Sequence, residues 1–159
     1  MSINYLREKE PVGTLWSLRN LYANTESDVL LGNGDTICDV ELMKFIKFSI
    51  SNGRLINLVV TRMRNPFGRV SMDGIRVTKF SEKPLLNHYV NAGTYFLKRE
   101  LGSRLKVNFT AKDIEKSILK SQAAKGEVFA YKFNGFWKLI DSPKDYKEIR
   151  KIYSDGKER

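Results

Sequence analysis

The stretch Asp28-Val29-Leu30-Leu31-Gly32-Asn33-Gly34-Asp35 decides how the rest of the chain is read. Val29 to Leu31 form a short apolar run with polar and turn residues on both sides. A run this short, apolar on both faces, suits a buried strand of a parallel sheet. It breaks at Gly32-Asn33-Gly34, and the first carboxylate after the break is Asp35. In open α/β sheets, ligands collect just beyond the carboxyl ends of the strands. A carboxylate there, beside glycines that leave room, suits a hard cation such as Mg²⁺ held against phosphate oxygens. The plainer alternative is a turn in which Asp35 caps the next helix, since short Gly/Asp motifs recur by chance.

The flanking segments favour a ligand site. Upstream, Ile3-Asn4-Tyr5-Leu6 alternates weakly and reads as a short strand, and Glu10-Pro11-Val12-Gly13-Thr14 is a break. Leu15, Trp16, Leu18, Leu21 and Tyr22 have helical spacing. Downstream, Asp39 is placed to cap a helix through Val40, Met43, Phe45, Ile46 and Ile50 that stops at Asn52-Gly53. Leu55 to Thr61 is a β-branched apolar run, read as a buried strand. Strand, helix, strand, helix, strand is the signature of a parallel α/β sheet with right-handed crossovers.

Farther out the pattern changes. Phe67 to Val70, Ile75 to Phe80 and Tyr89 to Leu97 read as strands joined by short turns, with Asp73-Gly74 as a hairpin signal. Thr110-x-x-Asp113 resembles a capping box opening a helix through Ile114, Ile118 and Leu119, with Gly126 as its stop. Val128 to Phe133 and Phe136 to Ile140 are further strands. Ser142-Pro143-Lys144-Asp145 starts a last helix with a capping serine, a first-turn proline and a carboxylate at the positive helix end. Tyr146, Ile149, Ile152 and Tyr153 are expected on one face of it.

Bulk properties set limits. The 159 residues, 42% hydrophobic and 29% charged, suit one globular domain over 1–159. The single cysteine, Cys38, permits no intrachain disulfide and suits a reducing, cytoplasmic setting. No apolar run approaches membrane-spanning length, so no membrane partner is expected. A net charge of +10 attracts polyanions, but the basic residues are scattered and no nucleic-acid-binding motif accompanies them. The charge reads mainly as a solvated surface, with nucleic-acid binding as an outside alternative.

Six segments, in order, resemble those of the sugar-1-phosphate nucleotidyltransferases, the nucleotide-sugar pyrophosphorylases. Glu10-Pro11-Val12-Gly13-Thr14 is similar to that family's EPLGT segment and Leu31-Gly32-Asn33-Gly34-Asp35 to its NGD motif. Phe67-Gly68-Arg69-Val70 resembles its FGVV segment, and Phe80-Ser81-Glu82-Lys83-Pro84 carries its F-x-EKP motif intact. Tyr89-Val90-Asn91-Ala92-Gly93-Thr94-Tyr95 is similar to its YINAGIY strand. Phe136-Trp137 to Ile140-Asp141-Ser142-Pro143-x-Asp145-Tyr146 resembles its closing segment. The resemblance implies a Rossmann-like, mostly parallel α/β sheet flanked by helices, in the nucleotidyltransferase (glycosyltransferase-A-like) fold.

It also implies a chemistry: a sugar 1-phosphate attacks the α-phosphorus of a nucleoside triphosphate, giving a nucleotide sugar and pyrophosphate. Such transfer depends on alignment and charge neutralisation. On this resemblance Asp35 and Asp141 are the Mg²⁺ ligands, and Lys83 meets the sugar phosphate as a point charge. Glu82 and Asn91 bind sugar hydroxyls, Gly68 lets backbone approach the ring, and Gly13-Thr14 lie near the nucleobase. Residue by residue, structural roles compete: a solvated Glu82-Lys83 pair, Asp141 as a helix cap, Trp137 in the core. Asn91, in an apolar strand, is expected to be a buried amide in need of partners.

Departures from the family pattern are equally specific. The family's glycine-rich GGxGTRLxPLT signature, which holds the triphosphate, has no counterpart in these residues. Trp16 stands where the family has a small residue, and Lys138-Leu139 separate Trp137 from Ile140-Asp141. The expectation is therefore a domain truncated on its amino-terminal side, missing two strands and inactive by itself. The competing reading is a non-catalytic sugar-phosphate-binding or regulatory domain, or a remnant. The sheet is expected to begin at the Val29 strand, with Met1 to Thr14 repositioned or poorly anchored. A second copy or a partner chain is expected to cover that edge.

Overall fold

A computed structural model describes residues 3–105 and 111–154. The described chain forms two compact units. The first comprises Met1–Gly32, Leu42–Leu58 and Thr94–Tyr131; the second comprises Asn33–Glu41, Val59–Gly93 and Lys132–Arg159.

The main sheet has four strands in the order β1-β6-β3-β7: β1 Val29–Gly32, β6 Val90–Leu97, β3 Ile56–Thr61 and β7 Val128–Lys132. β1 is the edge predicted from the sequence. β6 lies between β1 and β3 and pairs antiparallel with β1, from Val29 opposite Leu97 to Gly32 opposite Thr94. β3 and β7 run parallel, because Ile56 N–H bonds Glu127 O and Phe133 N–H bonds Val60 O. The sheet is therefore mixed. The strand that reverses it comes after a hairpin instead of a helix, so the early strand-helix rhythm did not include it.

In the first unit, helix α1 (Thr14–Ala23) buries Leu15 and Leu18 in a cluster with Ile56, Tyr95, Leu97, Leu101, Leu105, Ile114 and Ile118. Helix α2 (Leu42–Asn52) starts three residues beyond Asp39, which therefore does not cap it. Its buried face is Phe45 and Ser49, and Phe45 and Phe48 both pack on Tyr131. Met43 and Ile50, expected on that face, are exposed. The ring contacts with Tyr131 fix the helix in a phase different from the one its apolar spacing suggests. Gly53 ends α2 at φ +65°. α3 is Leu101–Arg104, and α4 (Lys120–Ala123) continues a π-type turn over Glu115–Leu119, where Leu119 N–H reaches Ile114 O. Thr110 of the proposed capping box lies outside the described residues. No strand forms over Ile3 to Leu6, where Ile3, Tyr5 and Leu6 are exposed.

The second unit holds two small ladders. β2 (Thr36–Cys38) pairs antiparallel with β8 (Trp137–Leu139). β4 (Arg69–Asp73) and β5 (Arg76–Ser81) form a hairpin closed by Gly74-Ile75, one residue later than the Asp73-Gly74 signal suggested. Gly74 takes φ +57°, which a turn with glycine first requires. Val70 faces Phe80 and Met72 faces Val77, and a register shift between Ser71 and Met72 keeps all four side chains on one face. Helix α5 (Pro143–Ser154) starts where the sequence placed it. Of its expected apolar face only Ile149 is buried; Tyr146, Ile152 and Tyr153 are exposed. Among the described residues no helix is long and apolar enough to cross a membrane.

Candidate active site

Asp35 and Asp141 are distant in sequence, and the β2–β8 ladder joins them. Thr36 is opposite Leu139, and one step beyond the ladder Ile140 N–H bonds Asp35 O at 2.8 Å. Asp35 precedes one strand and Asp141 follows the other, so both lie at the same end of an antiparallel pair. The plain reading of Asp35 as a helix cap fails, because a strand follows it. Both residues are exposed, and Thr36 Oγ1 donates to Asp35 Oδ1 at 3.2 Å. Two carboxylates and no softer donor suit Mg²⁺, which takes one or two carboxylates and completes its shell with phosphate oxygens and water. Among the described residues no three His, Cys, Asp or Glu gather as a metal cluster. The donor set thus fits a cation shared with a phosphorylated ligand better than a cage made by the protein alone.

The loop that presents Asp35 is tied to β6. Asn33 N–H bonds Gly93 O at 2.8 Å. Gly93 has φ +74°, and a Cβ there would come within 3.0 Å of the Asn33 amide. Asn91 Oδ1 accepts the Gly93 N–H at 3.0 Å, and the Trp137 indole N–H donates to Ala92 O at 3.0 Å. Asn91 is exposed, which corrects the expectation of a buried amide. Among the described residues the buried side-chain amides are Asn57 and Gln122, and Asn57 Oδ1 accepts from Asn52 Nδ2 at 2.7 Å. Trp137 is half-buried and anchors the Asn91-Ala92-Gly93 stretch of β6 to β8.

At the base of the hairpin, Gly68 and Glu82 are neighbours. A Cβ on Gly68 would stand 2.5 Å from the Phe80 ring and 3.2 Å from Glu82 Oε2. Lys83 has φ +42°, the one positive φ among the described non-glycine residues. A left-handed backbone is costly for lysine, and the following Pro84 restricts it further. Three contacts hold it: Asn65 N–H to Pro84 O at 2.9 Å, Leu86 N–H to Met63 O at 3.0 Å, and Arg64 paired with Leu85. Arg64 Nη1 also donates to Lys83 O at 3.4 Å. Strain concentrated at one residue and held by its neighbours is a common mark of a functional position.

Gly13 and Thr14 belong to the first unit and have structural partners there. Thr14 Oγ1 accepts the Ile114 N–H at 3.0 Å, and Leu15 N–H bonds Lys112 O at 2.9 Å. A Cβ on Gly13 would strike Lys112 at 2.7 Å. The segment entering α1 is thus anchored, although the residues before it are exposed.

The structure therefore unites Asp35 with Asp141, Gly68 with Glu82 and the adjoining Lys83, and Asn91 with the Asn33 loop. The Asn33 loop runs directly into Asp35, so the first and last of these groups are continuous. Sequence reasoning missed the network behind Asp141. Lys138 Nζ lies 2.5 Å from Asp145 Oδ1 and 3.0 Å from Glu148 Oε2, and Ser142 Oγ donates to Asp145 Oδ2 at 2.6 Å. Lys138 and Ser142 hold the Asp145 carboxyl down at a pKa of about 2. The cap of Ser142 and Asp145 was visible in the sequence, and the pairing with Lys138 was not.

Comparison with known proteins follows the same outline. The sequence model of the nucleotidyl transferase family matches residues 1–156. The catalytic subunit beta of mannose-1-phosphate guanylyltransferase from Danio rerio is 33% identical over 155 residues, 92% of this chain and 42% of that protein. The Xenopus tropicalis counterpart is 31% identical over 153 residues, 91% of this chain and 42% of that protein. Among solved structures, the inositol-1-phosphate CTP transferase from T. maritima superposes with a TM-score of 0.65 at 23% identity, covering 96% of this chain and 65% of that one. The chain thus spans less than half the length of these curated relatives.

Proposed function

From the premise that this chain belongs to the nucleotidyl transferase family, we propose that it carries the sugar-phosphate and metal half of a nucleotide-sugar pyrophosphorylase site. The reaction is transfer of a nucleotidyl group from a nucleoside triphosphate to a sugar 1-phosphate. Mannose 1-phosphate is the first substrate to try, because the relatives named above are mannose-1-phosphate guanylyltransferases. Asp35 and Asp141 would hold Mg²⁺, which supplies charge neutralisation at the phosphates. Lys83 pairs with the sugar phosphate as a catalytic cation. Glu82 and Asn91 bind sugar hydroxyls, and Gly68 leaves room for the ring. Gly13 and Thr14 are assigned to the nucleobase side. Residues 1–159 act as one nucleotidyltransferase-like domain in a cytoplasmic setting, with β1 covered by a second copy or a partner chain.

What carries the proposal is the β2–β8 ladder, because it brings two sequence-distant carboxylates of the family motifs to one end. The chain alone is expected to release no pyrophosphate, since it lacks the glycine-rich triphosphate-binding signature. Sugar binding is separable from that step. Calorimetry with mannose 1-phosphate is expected to show weak binding that falls in Glu82→Ala and in Lys83→Ala. Parent-like binding in both variants would assign the Glu82-Lys83-Pro84 segment a structural role only.

A further inference from the structure

Asp141 is exposed, and among the described residues its carboxylate makes no hydrogen bond or ion pair. Three residues upstream is a lysine, Lys138. Its ammonium is taken by Asp145 at 2.5 Å and Glu148 at 3.0 Å. The same Asp145 carboxylate holds Ser142, the residue that follows Asp141. It accepts the Ser142 hydroxyl, which in turn accepts the Asp145 N–H at 3.2 Å. On the other side of Asp141, Ile140 N–H is fixed to Asp35 O. The residues on either side of Asp141 are thus tied down, while among the described residues its own carboxylate makes no hydrogen bond or ion pair.

An ordinary helix cap explains the Ser142–Asp145 ring. It does not explain why the same carboxylate also takes Lys138 across from the strand before Asp141. We propose that Asp145 is a positioning residue for a divalent-cation site at Asp35 and Asp141. It holds Ser142, the residue next to Asp141, and it sequesters Lys138 so that the Asp141 carboxylate stays available to a cation. The inference rests on the metal reading of Asp35 and Asp141. Residues that orient a ligand commonly change metal affinity about 10–100-fold when removed. Loss of Asp145 does additional harm here, because it frees a competing ammonium.

The test uses Mn²⁺ as a paramagnetic probe on the full 159-residue chain, read as broadening of the amide signals of Gly34 to Thr36 and Ile140 to Ser142. In the parent these signals are expected to broaden selectively. In Asp145→Ala the Mn²⁺ concentration for half-broadening is expected to rise about tenfold. In the Lys138→Met, Asp145→Ala double variant it is expected to return most of the way to the parent value. A melting curve on each variant confirms that it is folded at the temperature used. Parent-like broadening in Asp145→Ala overturns the proposal. So does a loss that Lys138→Met leaves uncorrected, which would reduce Asp145 to a helix cap. If Asp35→Asn and Asp141→Asn also broaden like the parent, the metal reading itself fails and the inference falls with it.

Discussion

The largest fully buried side chains lie in the first unit, and the second displays many apolar ones of its own. Tyr95, Phe45, Ile56, Leu101 and Ile118 are all less than 2% exposed, and all belong to the first unit. In the second unit the hairpin face is open: Val70 is 46%, Val77 56%, Met72 62% and Phe80 64% exposed. The second unit nevertheless holds the positions on which the metal and sugar-phosphate reading rests, Asp35, Gly68, Glu82, Lys83, Asn91, Asp141 and Asp145, while Gly13 and Thr14, assigned to the nucleobase side, lie in the first. Its geometry rests on backbone hydrogen bonds, special glycines and small ladders. Packing supplies the stability of one unit, while polar contacts set the geometry of the other.

The largest expected effects lie in the packed cluster. Ile118→Ala or Leu101→Ala should cost about 2–5 kcal/mol, because each leaves a cavity among fixed neighbours. Val77→Ala on the open hairpin face should cost well under about 1 kcal/mol, since little burial is lost. Urea melts of the three variants check the contrast, and equal losses would erase it.

Next in size is Gly93→Ala. The left-handed backbone costs about 1–2 kcal/mol for any other residue, and the new Cβ would meet the Asn33 side chain. The expected sign is destabilising, with the Asn33-Gly34-Asp35 amides shifted most in an NMR spectrum. Shifts centred elsewhere would detach this loop from β6.

Lys83→Gly sharpens the comparison in the opposite direction. Glycine adopts φ +42° freely, so the variant is expected to gain up to about 1 kcal/mol in stability while losing sugar-phosphate binding. A destabilised variant would mean that the Lys83 backbone stores no strain.

The smallest effect is acid dependence. The Asp145 carboxyl titrates at about 2 in the folded chain, below the ordinary carboxyl value of 3.8. A depressed folded pKa contributes stability above the unfolded value and loses it as pH falls through the folded one. The Asp145 contribution is therefore intact near pH 5 and fades between about pH 4 and pH 2. Asp145→Asn should flatten that part of a stability-versus-pH curve; an unchanged slope there would place the depression elsewhere.

The sequence made most elements legible because local signals marked them. The capping Ser142, the stop at Asn52-Gly53 and the apolar run ending at Thr61 all act within a few residues of themselves. What it hid was decided by distant partners. Tyr131 rotates α2 away from its apolar phase, and β6 enters the sheet between β1 and β3. Asn91 looked buried because its strand is apolar, yet it lies at the exposed start of β6. The candidate carboxylates were readable through their motifs, and the β2–β8 register is what puts Asp35 and Asp141 side by side. Asp145 was readable only as a cap, because its bond to Lys138 crosses from strand to helix.

The most direct test is a titration of the isotope-labelled chain with mannose 1-phosphate, followed residue by residue. The account requires amide shifts in the second unit, at Gly68, Glu82-Lys83 and Asn91 to Gly93, with the buried cluster around Tyr95 and Ile118 unmoved. Shifts centred in the first unit, or none at concentrations where the full-length relatives bind the sugar, would contradict it.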